Sequence, residues 1–394
     1  MQASSPFVCL RPPAVCHFLI PPALLLLLLL GSGHAWGWGG AGHRIINKNA
    51  VKHLPPAMPE LAAQQQFLED HASDADYRKT PPDTAEYPKH FLDLESYSDY
   101  PHLTPSLPAL ISQYGWTTVR ANGILPWATL WAFDSLTAQF RRHDLVKAYQ
   151  TAADLGHSVG DAHNPLHCTI NYDGALTGNS GIHSRYETGM INLVQGSITV
   201  SVDTVRYIPE PYAFIFNGIL RSRALADSIL LADNAAKSAS GWNGSQPVPQ
   251  TYYTVLWERT QRFTAALFQE ATADLASLWY TAWVNAKATT QVAADDPGQL
   301  PGKFVLEQNF PNPFNPSTTI GYALPTTSFV TLKIYDVMGR ELRTLVSGTQ
   351  SAAPYNVVWD GLDKSGAPVA SGVYLYRLTS DDGFSAARSM VLLK

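Results

Sequence analysis

Cysteine is nearly missing from this chain. Its 394 residues hold three, and Cys9 and Cys16 lie before or inside an N-terminal apolar run. Without that segment only Cys168 remains, which excludes an intramolecular disulfide framework and leaves the core or bound ions to hold the fold. Charge is sparse too, with 15% Asp, Glu, Lys and Arg and a net charge of −5. That excludes the basic stripe of a general nucleic-acid coat, but not a nucleic-acid substrate held by metal ions. Histidine is absent after His183, so more than half of the chain has no imidazole for a metal or a proton relay. Long apolar runs are absent as well, except "FLIPPALLLLLLL" (Phe18 to Leu30), which is too short to span a bilayer comfortably. With Arg11 before it and "GSGHAWG" after it, this run reads as a signal peptide over residues 1–37.

What is present divides in two. From Trp38 to about residue 290 the apolar spacing is helical. "AGHRIINKNAVKHL" puts Ile45, Ile46, Ala50, Val51 and Leu54 near one face, and "LVKAYQTAADLGHSVGDAH" does so through Val146, Tyr149, Ala153 and Val159. "TQRFTAALFQEATADLASLWYTAW" is free of Pro and Gly and reads as a buried closing helix; strand-like alternation is confined to "SITVSV", near residue 200. A Pro- and Gly-containing linker over 291–302 breaks the pattern. Beyond it, over 303–394, "TLKIYDV" and "GVYLYRL" alternate in period two between short turn signals, the mark of a small all-β sandwich. The expected fold class is therefore a mainly α domain followed by a small β-sandwich.

Chemistry concentrates in "HSVGDAHNPLHCTINYDGALTGNSGIHSRYE", which holds four of the twelve histidines. His157 and Asp161 stand four apart on a predicted helix, so both reach one ion. Pro165 ends that helix and "NPLH" turns His167 back towards the pair, while His183 and Glu187 repeat the four-residue step. Imidazole and carboxylate suit Zn²⁺, and three protein ligands with one open position is the catalytic pattern. One such pair alone is usually a solvated surface pair. Two of them flanking a loop histidine are a site.

"HSVGDAHNPLH" followed by "GIHSRYE" resembles the zinc-dependent phospholipase C and single-strand nuclease superfamily, a group of trinuclear-zinc phosphodiesterases with a helical fold. There the mature N-terminus is a Trp whose amino and carbonyl groups chelate zinc. "WGGAGH" offers Trp38 five residues before His43, and cleavage before Trp38 is preferred on that spacing, although cleavage before Trp36 satisfies the same peptidase rule. "SDADYRK" adds Asp76 and "YPKHFLDL" adds His90. The resemblance implies three zinc ions. One is held by Asp76, His90, His157 and Asp161, a second by His167, His183 and Glu187, and a third by the Trp38 main chain, His43 and bridging Asp161. It also implies hydrolysis of a phosphodiester by metal-held water, with Asp76 orienting or deprotonating that water. His163, Cys168, Asp154, Asp173 and the remaining histidines read as structural or surface residues.

The phrase "ADY", the fourteen-residue step from Asp76 to His90 and the terminal Glu of "HSRYE" favour the phospholipase branch. The short Trp38–His43 step and the lack of an acid in "WGGAG" favour a nuclease or nucleotidase. Tyr77 and Tyr87 belong either to an aromatic cage for a quaternary ammonium or to core packing. A non-catalytic zinc-containing surface protein is the third reading. "LEQNFPNPFNPSTTIGYALP", "VTLKIYDVMGREL" and "SGVYLYRL" resemble the sorting domain of type IX secretion cargo, an FlgD-like immunoglobulin sandwich. That resemblance implies a secreted or cell-surface protein handled by the type IX machinery. A monomer, with transient membrane contact at most, is expected.

Overall fold

A computed structural model describes residues 38–79, 85–100, 102–103, 106–293, 302–309, 312, 314 and 316–392. The signal-peptide reading and most of the linker lie outside the described residues. Six helices of twelve residues or more build the N-terminal part: α1 (Gly39–Ala50), α2 (Leu125–Arg141), α3 (Leu145–Ala162), α4 (Pro211–Arg223), α5 (Ala226–Ser240) and α6 (Gln250–Ala293). The helix α6 runs 44 residues because no Pro or Gly interrupts it. It buries Tyr252, Leu256, Phe268, Leu275, Trp279 and Ala282 at three- and four-residue steps against α1, α2 and α5. No helix among the described residues is long and apolar enough to cross a membrane.

The helix α3 follows the sequence pattern at both ends. The Asp144 carboxylate accepts from Lys147 N at its start, and the helix stops at Ala162, three residues before Pro165. Its buried face is Ala148, Ala152, Ala153, Leu155 and Val159, whereas Val146, expected on that face, is exposed in the first turn. The "SITVSV" segment is extended but forms no strand. Ser201 N donates to the Gln269 side chain and Ser201 O accepts from it, so an amide on α6 takes the place of a partner strand.

The C-terminal part is all β. One antiparallel sheet has the order β1 (Val305–Leu306), β2 (Thr318–Leu324), β5 (Ala353–Trp359). The other has β4 (Glu341–Gln350), β3 (Ser328–Asp336), β6 (Gly372–Ser380), β7 (Ser385–Leu392). Ile320 and Tyr322 from the first sheet share a core with Leu332, Ile334, Tyr376 and Leu378 from the second. Val373 and Val391 join the helical core instead, and Ser135 Oγ on α2 donates to Asn312 O at 3.4 Å. The sandwich therefore rests on α2.

Candidate metal centre

The helices α1 and α3 approach so closely that only glycine fits between them. A Cβ on Gly156 would lie 1.8 Å from Asn47 Oδ1, and one on Gly160 would lie 2.8 Å from His43 Nδ1. Asn47 then bonds across the gap to Ala153 O and Leu68 O. This contact stacks the His43 ring on His157 with centroids 3.8 Å apart. His157 and Asp161, one turn apart on α3, bring Nε2 and Oδ2 to 3.3 Å. The short turn Tyr87–His90 delivers His90, whose Nδ1 is 2.9 Å from Asp161 Oδ2 and 3.1 Å from His157 Nε2. The turn Asp74–Tyr77 delivers Asp76, whose Oδ1 is 3.4 Å from His157 Nε2 and 3.7 Å from His90 Nδ1.

A second cluster adjoins the first through His167, whose Nδ1 lies 3.5 Å from Asp161 Oδ1. His167 stands in the Pro165–Cys168 turn, as the proline implies. His183 and Glu187 come from a helical segment that begins at Ile182 and widens into a π-helical turn over Arg185–Met190. The Nε2 atoms of His167 and His183 face each other at 3.0 Å, with Glu187 Oε2 at 3.4 and 2.7 Å from them.

Three groups thus each place three donor atoms within 4.8 Å of one another: His43, Asp76 and His157; His90, His157 and Asp161; His167, His183 and Glu187. Ligands about 2.0–2.1 Å from a tetrahedral zinc stand roughly 3.3–3.4 Å apart, so these clusters have the right size for such an ion. Their polar atoms also call for one. His43 Nδ1 and Nε2, Asp161 Oδ1 and Asp76 Oδ2 are buried without a hydrogen-bond partner. His157 and His167 turn Nδ1 towards the carbonyls of Ala72 and His90, which leaves Nε2 facing the cluster, the arrangement of ligating histidines. Trp38 lies beneath, its ring buried between Tyr186 and Phe268 and its carbonyl accepting from Gly42 N.

The electrostatics follow from packing cations-in-waiting among acids. Burial pushes His43 down to about 3 and His183 to about 4, and burial together with Lys79 brings His90 to about 4. Burial raises the Glu187 carboxyl to about 8. Burial would lower His157 as well, but Asp76 and Asp161 outweigh it and hold the imidazole well above its ordinary value. In turn, His157 holds both acids below the carboxylate range against their burial.

Two residues inside the quoted motifs, Lys79 of "SDADYRK" and Asn164 of "NPLH", join the centre without having been given a role there. Lys79 is buried with Nζ 2.5 Å from Asp76 Oδ1, one turn beyond it, and the i+3 step was the only signal of it in the sequence. Asn164 donates to Glu187 Oε2 at 3.0 Å. The structure sets other candidates apart. His163 bonds Val159 O and faces Asp274, Asp154 pairs with Arg78, and Asp173 accepts from Gly181 N. Cys168 is buried against Asn164 O, where burial pushes its thiol up. Tyr77 and Tyr87 are 64% and 48% exposed, so neither is a core residue. Tyr172, 43% exposed, stands edge-on to His183 with centroids 5.6 Å apart. A cavity of about 380 Å³ opens beside His90, lined among others by Arg78, Glu86, Lys89, Trp131 and Asp154.

Residues 316–383 match the FlgD Ig-like domain family. Among solved structures, dimeric latent PorU from Porphyromonas gingivalis is 28% identical over 23% of this chain and 9% of its own, with a TM-score of 0.20. The chain thus spans about a tenth of that protein. PorZ, described as an essential surface component of the type IX secretion system of the same organism, is 21% identical over 25% of this chain and 13% of its own, TM-score 0.18. The alpha-toxin of an avian strain of Clostridium perfringens is 11% identical over 91% of this chain and 99% of its own, TM-score 0.42. The comparison with curated proteins finds no match.

Proposed function

We propose that this protein is an exported zinc-dependent hydrolase of phosphoric esters, with phospholipase C-like activity as the leading reading. The observation that carries it is the convergence of His43, Asp76, His90, His157, Asp161, His167, His183 and Glu187 into three adjoining donor groups in one buried centre. Zinc in such a centre supplies Lewis acidity to a phosphoryl oxygen and lowers the pKa of a bound water towards 7.

The chain supplies the rest. Asp76 Oδ2, buried and unpartnered, is the acceptor for the proton of the attacking water. Lys79, held by Asp76 in the same pocket, meets the negative charge of the phosphate. The ligand side chains are themselves buried, which keeps bulk water from competing for them. Tyr172, exposed and edge-on to His183, and Tyr87, exposed in the turn that carries His90, form on this reading a margin for the organic part of the substrate. Such a margin fits a lipid headgroup and glycerol better than a bare phosphate. The signal-like N-terminus and the FlgD-type sandwich support export through the type IX route, with the helical part as cargo.

The short Trp38–His43 step favours the second reading, a nuclease or nucleotidase. The two separate on one plate: phosphatidylcholine and single-stranded DNA, each with and without chelator. Chelator-sensitive release of phosphocholine is the expected outcome. Degraded DNA beside intact lipid transfers the protein to the second reading, and no hydrolysis of either at full zinc leaves a binding protein. Mass spectrometry of the exported form locates both ends of the mature chain.

A further inference from the structure

Beneath the turn that carries His183 and Glu187 lies a buried polar network with no place in the proposed chemistry. Arg185 sits two residues from each ligand, so its side chain leaves the turn on the opposite side. Its guanidinium donates through Nε to Tyr252 Oη (2.9 Å), through Nη1 to Ser180 O (2.7 Å), and through Nη2 to Asn179 O (3.1 Å) and Asp233 Oδ1 (2.9 Å). The Trp242 and Tyr252 rings flank it at 5.1 and 5.6 Å. Asp233, on α5 and fully buried, also accepts from the Tyr252 hydroxyl, from Asn179 Nδ2 (2.7 Å) and from Lys237 Nζ (2.6 Å). Gly181 completes the fit, with φ +81° and a hydrogen where a Cβ would stand 2.7 Å from Arg185 Nη1.

Each nitrogen of the fork thus ties the ligand-bearing turn to something rigid: the 179–180 loop, α5 or α6. The turn needs such a tie. A π-helical turn is less favourable than an α-helical one and persists where its surroundings impose it. We infer that Arg185 and Asp233 are positioning residues for the second donor group: the Asp233-anchored guanidinium fixes the π-helical pitch that brings His183 and Glu187 onto His167. Neither residue touches substrate. This inference rests on the reading of His167, His183 and Glu187 as metal-holding.

The test uses the full chain and zinc or cobalt ions as the probe. Asp233→Asn removes the anchoring charge at constant shape, and Arg185→Lys keeps the charge without the planar fork. In either variant, chelator competition is expected to show one ion bound about 10–100-fold more weakly. The cobalt absorption of that ion shifts, while the affinities of the other ions and the far-UV circular dichroism stay unchanged. A lower melting temperature with metal affinities and cobalt spectrum unchanged overturns the inference, because the network then only stabilises the fold. Tyr252→Phe, which deletes one hydroxyl, gives a smaller shift of the same sign and serves if the charge variants fail to fold; no shift in it also overturns the inference. Wild-type protein that binds no metal removes the underlying reading and this inference together. Wild type that binds metal beside unaffected variants removes this inference alone.

Discussion

At the residue scale, the centre's chemistry rests on a few side chains whose neighbours set their charge. Asp76→Asn keeps the shape but removes the proton acceptor, and a fall of about 10²–10⁴ in kcat is expected, measured by headgroup release at saturating lipid. Metal uptake should depend on pH because protons compete for the same donors. His157 is held above its ordinary value and Glu187 is raised to about 8, so both carry protons near neutrality in the metal-free centre. Loading must displace those protons, and affinity therefore falls as pH falls. Calorimetry in buffers of different ionisation enthalpy is expected to show proton release on zinc binding at pH 7; a titration independent of buffer contradicts this. Helical four-residue pairs such as His157 with Asp161 were legible in the sequence, since the periodicity itself puts both on one face. Lys79, Asn164 and Tyr172 were not, because each acquires its place only when distant segments close on the centre.

At the element scale, the contact of α1 with α3 decides whether His43 reaches the other donors. Gly160→Ala would press a methyl group into the His43 ring and force the helices apart. A destabilisation of about 1–3 kcal/mol is expected, together with the loss of close to one bound ion, read by denaturant unfolding and metal analysis. The glycines at 156 and 160 were visible in the sequence only as interruptions of a helical pattern. Their role depends on what faces them. The same holds for "SITVSV", whose alternation is that of a strand but whose backbone pairs with the Gln269 side chain, and for Val146, which has the right step but sits where α3 has outrun the core. The four-residue step from His183 to Glu187 was legible, whereas the π-helical pitch of its turn, imposed from α5 and α6, was not.

At the scale of the whole molecule, Cys168 is the one cysteine among the described residues and is free, and on the proposed reading bound ions are a stabilising element. Ions that bind only the folded chain stabilise it by mass action, so stripping with a chelator is expected to lower the melting temperature by about 5–15 °C, reversed by zinc in calorimetry. The seam between helices and sandwich has its own pH signature. Burial lifts Asp134 on α2 to about 7, with Arg388 of β7 offsetting only part of this. A carboxyl whose folded pKa is raised favours the folded state while protonated. That contribution is complete below about pH 4 and is lost as pH climbs towards 7, at up to roughly 1.4 kcal/mol per pH unit. Asp134→Asn is expected to raise the melting temperature at pH 8 and leave it unchanged at pH 4. The two-part architecture was readable from the switch between helical and period-two spacing. The seam was not, since Val373 and Val391 alternate like any sandwich residue yet face the helices.

One consequence follows from the burial of Trp38. Its indole is sealed beneath Tyr186 and Phe268, and Gly39 is wedged against the backbone of Glu187 and Thr188. On the proposed reading, in which Trp38 becomes the first residue of the mature chain, a cut just ahead of this buried indole comes before the helices assemble around it. That reading implies an order of events set by sterics: trimming, folding, loading with metal. On the same reading, a producing cell that keeps the leader attached carries a hydrolase that is not yet assembled.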